Sequence, residues 1–204
     1  MPGPGIIFDM DGTLVDSGLD FAAMRCEMGL PDGEPLLEAI AELPDAQARR
    51  CWQILERHES EGADRATLIE GVSEFLAELH RRRWPTAVLT RNSREMTAAT
   101  LRRFGLRFDT VMTRDDGPIK PDPASIHAIC ARWNLRPNQA VMIGDYRFDI
   151  EAGRRAGTRT VLYTKGRDPA DIPYAAGADY VLRSFFDYRE LLAIGLDPAN
   201  DPCS

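Results

Sequence analysis

The chain has 204 residues, enough for one ordinary domain or a core with a small insert. Hydrophobic residues make up 44% and charged residues 28%, a balance that excludes a largely disordered chain. The net charge of −7, with Arg81-Arg82-Arg83 the one basic run, argues against nucleic acid as a partner, and no apolar stretch approaches the ~20 residues of a membrane span.

In chain order, six short runs of β-forming residues read as strands: 5–11, 86–90, 110–113, 140–145, 158–164 and 179–182. Helix-period stripes lie between most of them. Val72, Phe75, Leu76 and Leu79 form one. Met96, Ala99, Thr100 and Phe104 form the next, stopped by Gly105. Ile126, Ile129, Cys130 and Trp133 follow, ending before Pro137, and Ile150 and Ala156 lie on a stripe closed by Gly157. Alternating strands and helices predict an α/β fold, a mostly parallel Rossmann-like sheet with helices on both faces.

Residues 16–70 break this rhythm. Phe21, Met24 and Met28 suggest one helix ending at Gly29, Leu36, Leu37 and Ile40 a second, and Trp52, Ile54, Leu55 and His58 a third; no strand is evident. The expected division is therefore a core from 1–15 and 71–195, a small α-helical insert from 16–70, and a loosely ordered tail from 196–204. Cys26, Cys51, Cys130 and Cys203 show no metal spacing. The N-terminal residues carry no leader pattern, so free thiols and a cytoplasmic location are expected. The histidines His58, His80 and His127 share no metal spacing, and Arg81–Arg83 reads as a solvated helix end. Lysine is scarce: Lys120 and Lys165 are the chain's two.

Asp9 and Asp11 follow the apolar run Gly5-Ile6-Ile7-Phe8, at the carboxyl end of a parallel strand, where open α/β folds place their sites. In a continuing strand, residues two apart point to one side, and two carboxylates so placed need a cation between them. A hard divalent ion answers that need. On Asp-x-Asp alone, a strand running out into an acidic turn fits equally well. Thr90 alone reads as a helix N-cap, Lys120 as a surface lysine, and Asp145 and Asp149 as caps of the next helix.

The segment Asp9-Met10-Asp11-Gly12-Thr13-Leu14-Val15-Asp16-Ser17 resembles the first motif of the haloacid dehalogenase-like hydrolase superfamily, most closely its phosphatase branch. Thr90 in Val88-Leu89-Thr90-Arg91-Asn92-Ser93 is similar to the second motif, Lys120 in Ile119-Lys120-Pro121-Asp122-Pro123 to the third, and Gly144-Asp145-Tyr146-Arg147-Phe148-Asp149 to the fourth. The resemblance runs from Gly5 to about residue 192, in the required order. It implies that Asp9 is the nucleophile on phosphorus and Asp11 the general acid and base. It implies Mg²⁺ held by the Asp9 side chain, the Asp11 backbone carbonyl and Asp145, with Asp149 orienting Lys120 or a water on the metal. Thr90, Arg91 and Asn92 are implied as phosphoryl contacts, and Lys120 as the group that neutralises the transferring phosphoryl. Tyr146 departs from the small residue common at that position in relatives.

The implied activity is a Mg²⁺-dependent phosphatase acting on a small-molecule phosphate ester, with the insert as a helical cap like that of phosphoglycolate phosphatase-like proteins. Arg25, Arg49, Arg50, Arg57 and His58 are its candidate contacts to an anionic substrate. Asp11 and Asp145 argue against metal-free dehalogenation, and the lack of lysine in 16–70 against Schiff-base phosphonate hydrolysis. A phosphomutase of the same superfamily and a catalytically idle binding protein are the alternatives. Oligomeric state and the particular ester are not set by any feature of the sequence.

Overall fold

The computed structural model describes residues 3–194, so the tail expected at 196–204, with Cys203, lies outside the described residues. The elements run β1 (Gly5–Phe8), β2 (Val15–Asp16), α1 (Phe21–Met28), α2 (Leu36–Ala41), α3 (Asp45–Arg65), β3 (Thr67–Leu68), α4 (Val72–Arg82) and β4 (Thr86–Leu89). They continue with α5 (Arg94–Arg103), β5 (Thr110–Met112), α6 (Ala124–Arg132), β6 (Ala140–Gly144), α7 (Arg147–Ala156), β7 (Arg159–Tyr163), β8 (Tyr180–Leu182) and α8 (Tyr188–Ile194).

All six apolar runs became strands of one sheet, in the order β5-β4-β1-β6-β7-β8, and every pairing is parallel. The alternation along β1 shows why both faces need cover. Ile6 and Phe8 enter one core with Phe75 and Leu79 of α4, while Ile7 enters the other with Ile126 and Ile129 of α6 and Ala152 of α7. Each such large side chain, fully buried, contributes roughly 1.5–3 kcal/mol. From β1 the chain moves outward through β4 and β5, then returns to add β6 on the other side of β1. The carboxyl end of β1 is therefore the switch point where the two halves diverge and leave a crevice.

Helices α1 to α3 hold a separate apolar cluster of Met24, Leu36, Leu37, Ile40, Cys51 and Leu55. The absence of strands expected over 16–70 needs correction. Val15 pairs with Leu68 and Asp16 with Thr67, so β2 and β3 form a two-residue antiparallel ribbon where the chain leaves and re-enters the sheet. Two residues per strand are too few for alternation to register as a pattern. Cys26, Cys51 and Cys130 are free thiols, as expected. No helix of the described residues is long and apolar enough to cross a membrane.

Candidate active site

The sequence places Asp9 and Asp11 two apart on a continuing strand; the structure ends that strand at Phe8. Asp9 still borrows the sheet, its N–H donating to the Ile143 carbonyl at 2.8 Å. The chain then folds into a tight turn in which the N–H groups of Thr13, Leu14 and Val15 converge on the Met10 carbonyl. Gly12 sits at φ +86°, a conformation that a side chain would strain. The turn, rather than strand alternation, separates the two carboxylates. Asp9 points inward and is 8% exposed. Asp11 faces the β4 loop, where Asn92 Nδ2 donates to its Oδ2 at 3.3 Å and the Ser17 hydroxyl also bonds it.

Lys120 lies at the centre, 2% exposed. Its Nζ donates to Asp9 Oδ1 at 2.5 Å and to Asp149 Oδ1 at 2.7 Å. Burial alone would lower this ammonium's pKa, but the charges of Asp149 and Asp9 outweigh it and hold it raised. Asp149 Oδ2 accepts from the Tyr146 N–H at 3.0 Å, so this carboxylate caps the start of α7 and orients the lysine at once. Gly144 makes room for it, because a Cβ there would fall 2.2 Å from Asp149 Cγ. Thr90 is buried at the end of β4, and its Oγ1 accepts from the Asn92 N–H at 3.1 Å, while Ser93 is the N-cap of α5.

Oxygens of Asp9, Asp145 and Asp149 lie within 4.8 Å of one another. Burial comes first in pushing the Asp9 carboxyl well above the ordinary range, with the Asp149 and Asp145 charges adding to it and Lys120 opposing. Burial and Asp149 likewise raise Asp145, and burial raises Asp11 against hydrogen bonds from Ser17 and Asn92. Such a set of crowded, hard oxygen donors fits Mg²⁺. Asp149 is tied to the buried Lys120 and to a backbone N–H, whereas the partners of Asp145 are the Thr13 hydroxyl and the half-exposed Lys165, so Asp9 and Asp145 are the carboxylates better placed to take an ion.

Arg91 is brought to the site's edge but turned away from its centre. Its Nη1 and Nη2 donate to Glu38 Oε1 and Oε2 of α2 at 3.0 and 2.6 Å, Nη1 also donates to the Lys120 carbonyl, and the guanidinium lies 4.5 Å over the Phe148 ring. The insert's basic candidates are also committed elsewhere. Arg57 and His58 bond Glu27, and Arg25 bonds the Pro31 and Glu34 carbonyls. Arg49 and Arg50 lie exposed on α3. A cleft of about 640 Å³ between α2, α3 and the core is lined instead by Leu37, Trp52, Glu56, Ser93, Met96, Arg114 and Ile119. Arg114 is buried against Glu59 and lies 5.3 Å from the Trp52 ring centre. Burial raises the Glu59 carboxyl, with Arg114 opposing.

Tyr146, the odd residue of the fourth motif, is 47% exposed and packs edge-on to Phe148 and Tyr174. Tyr174 in turn donates its hydroxyl to the Asp145 carbonyl at 3.0 Å.

The raised carboxyls have a consequence for stability. A carboxyl whose folded pKa lies above its unfolded value of ~4 stabilises fully below that value, and the contribution is lost as pH rises through the folded pKa. Asp9, Asp11, Asp145 and Glu59 all act in this sense. Glu27 and Glu78, lowered by arginine and histidine partners, act oppositely, but both are solvated and screened. In EDTA, the thermal midpoint is therefore expected to fall between about pH 5 and pH 8, and added Mg²⁺ to raise it most at the upper end. A midpoint that climbs steadily over that range in EDTA would contradict this.

Asp9, Asp11, Asp145 and Asp149 thus gather with the buried Lys120 at the carboxyl ends of the central strands of a parallel sheet. A family model described as haloacid dehalogenase-like hydrolase matches residues 22–163. The chain is 30% identical to an N-acetylmuramic acid 6-phosphate phosphatase of Pseudomonas putida, over 92% of this chain and 95% of that one. It is 29% identical to the pyrophosphatase PpaX of Bacillus velezensis, over 93% and 96%. The crystal structure of a predicted phosphoglycolate phosphatase from Haemophilus somnus superposes with a TM-score of 0.75 at 25% identity, covering 93% of this chain and 98% of that one. The chain belongs to the haloacid dehalogenase-like hydrolase family, in the branch where these named phosphatases lie.

Three site features were not singled out from the sequence. Thr13 Oγ1 donates to Asp145 Oδ1 at 3.3 Å, Lys165 Nζ lies 2.9 Å from Asp145 Oδ2, and Arg114 pairs with Glu59. For Lys165 a signal existed: two lysines in a chain with a site rich in aspartate.

Proposed function

We propose that this hydrolase is a Mg²⁺-dependent phosphatase that cleaves small phosphate monoesters through an aspartyl-phosphate on Asp9. The observation that carries the reading is the buried Asp9 carboxylate, held by Lys120 beside Asp145 and Asp149 at the switch point of the sheet.

In the first step Asp9 attacks phosphorus, the P–O ester bond breaks, and its electron pair leaves on the alcohol oxygen, which takes a proton from Asp11. In the second, a water attacks the same phosphorus and gives its proton to Asp11. The bond to Asp9 breaks, releasing phosphate and restoring the carboxylate. Burial raises the pKa of Asp11, the direction a proton donor needs. Thr90, Asn92 and backbone N–H groups of the β4 loop would hold the phosphoryl oxygens, and Lys120 would offset their charge. Asp9, Asp145 and the Asp11 carbonyl would hold Mg²⁺, which supplies charge neutralisation at the phosphoryl group.

Residues 16–70 would act as the cap, and the cleft lined by Trp52, Arg114 and Ile119 as the seat of the leaving group. Since the guanidinium of Arg91 is paired with Glu38, its contribution is to tie the cap helix to the Lys120 loop rather than to grip phosphate.

The test is phosphate release from p-nitrophenyl phosphate and from an alkyl phosphate, with Mg²⁺ or EDTA, for wild type and Asp11→Asn. Turnover is expected only with Mg²⁺. Asp11→Asn is expected to slow release of the alcohol in a single turnover about 10²–10⁴-fold on the alkyl ester and much less on the aryl ester, whose leaving group needs little protonation, while the later release of phosphate slows alike for both. Equal losses in alcohol release on both esters would remove Asp11 from the acid role, and full turnover in EDTA would remove the metal.

A further inference from the structure

Both lysines of the chain reach the carboxylate cluster, although arginine supplies nearly all of its other positive charge. Lys120 is buried and shared between Asp9 and Asp149. Lys165 comes from the opposite side, from the loop after β7, and its Nζ lies 2.9 Å from Asp145 Oδ2. The contact is built by the backbone. Thr164 and Gly166 donate N–H groups to Leu182 and Arg183 carbonyls at 2.9 and 3.0 Å, and Lys165 itself is held at φ +56° between them. Gly12 completes the fit, since a Cβ there would fall 2.4 Å from Asp145 Oδ2 and 2.6 Å from Lys165 Nζ. Asp145 thus has one oxygen engaged by Thr13 and the other by an ammonium. Asp9, Asp11, Asp145 and Asp149 here share two ammonium groups.

We propose that Lys165 is a positioning residue that stands in for the metal ion. Its ammonium neutralises Asp145 and holds it in place when the ion is absent, and it must give up Oδ2 when the ion binds. The inference rests on the reading of Asp9 and Asp145 as metal ligands. Its side chain is 43% exposed, so it can swing into water, whereas Lys120 cannot. A compact ammonium on a flexible stem suits such an exchange better than a planar guanidinium, which would hold the carboxylate with two bonds. The trade has a definite sign: Lys165 stabilises the metal-free protein and weakens Mg²⁺ binding.

The experiment is calorimetric titration of Mg²⁺ alone into the metal-free full chain, with thermal midpoints measured in EDTA and in Mg²⁺. It compares wild type, Lys165→Met and Lys165→Arg, with Lys165→Gln as the substitute if the Met variant fails to fold. The uncharged variant is expected to bind Mg²⁺ on the order of tenfold more tightly, to have a lower midpoint in EDTA, and to gain more from Mg²⁺ than wild type. Lys165→Arg is expected to keep the midpoint in EDTA and not to bind Mg²⁺ more tightly. Unchanged or weaker Mg²⁺ binding by the uncharged variant overturns the proposal while leaving the metal site standing. A wild type that binds no Mg²⁺ by either readout overturns the metal reading, and this inference with it.

Discussion

Replacing Asp9 by Asn is expected to lower phosphate release by at least about four orders of magnitude without lowering the thermal midpoint. The two halves of this expectation have separate causes. An amide has no charged oxygen with which to attack phosphorus, so the covalent route is closed whatever else the site retains. The amide oxygen can still accept from Lys120 in the place of Oδ1, which the carboxylate holds at 2.5 Å. Removing the charge also removes what makes Asp9 costly in the metal-free fold: burial, and repulsion from Asp149 and Asp145. Lys120 keeps Asp149 as its counterion at 2.7 Å. The midpoint in EDTA is therefore expected to be equal to or above that of wild type, and Mg²⁺ to raise it less. Circular dichroism, thermal unfolding and single-turnover phosphate release check this together. Turnover near the wild-type level would sink the nucleophile assignment. Loss of turnover accompanied by an equal loss of fold would show that Asp9 acts through structure.

The sequence exposes what repeats or alternates, and hides what depends on a single distant contact. The six strands were legible because each is a short apolar run closed by a polar residue, and the helices because their stripes recur at 3.6 residues. Their ends were less so. The runs carry Asp9 and Asp11 as if in the strand, yet Phe8 is the last strand residue, since Gly12 and the Met10 carbonyl impose a turn that hydropathy does not register. The ordered motifs identified Asp9, Asp11, Thr90, Lys120, Asp145 and Asp149, and the structure gathers them at one end of the sheet. Arg91 sits beside them with its charge spent on Glu38. The pairing of Glu59 with Arg114, 55 residues apart and both nearly buried, had no local signature, because Glu59 stands in the polar run Glu56-Arg57-His58-Glu59-Ser60-Glu61, where no sequence feature marks which one is buried. Lys165 stood out as one of two lysines, but its partner did not, because that partner is set by how the loop after β7 folds back onto β8.

Lys120→Met, unlike Asp9→Asn, should cost fold as well as activity. Methionine matches the aliphatic stem and packs in the same space, so little of the effect comes from lost volume. What changes is the charge. Asp9 and Asp149 lose their common cation, and neither reaches water to compensate, at 8% and 2% exposure. Breaking a buried pair by removing one partner costs roughly 3–5 kcal/mol, and here one cation serves two carboxylates. For a chain of this size that corresponds to a fall in midpoint of about 10 °C in EDTA near neutral pH. The deficit should shrink as pH is lowered, where protonation relieves the stranded Asp9, and in Lys120→Met/Asp149→Asn, where one of the two carboxylates is gone. Turnover should fall by a further route, since the developing charge on the transferring phosphoryl loses its fixed ammonium, a loss of about 10²–10³-fold where fold is preserved. Thermal unfolding of the single and double variants across pH, with and without Mg²⁺, separates the two effects. A Lys120→Met midpoint close to wild type in EDTA at neutral pH would mean that the three charges are not coupled as the 2.5 and 2.7 Å contacts imply, and the electrostatic account of the site would fail at its centre.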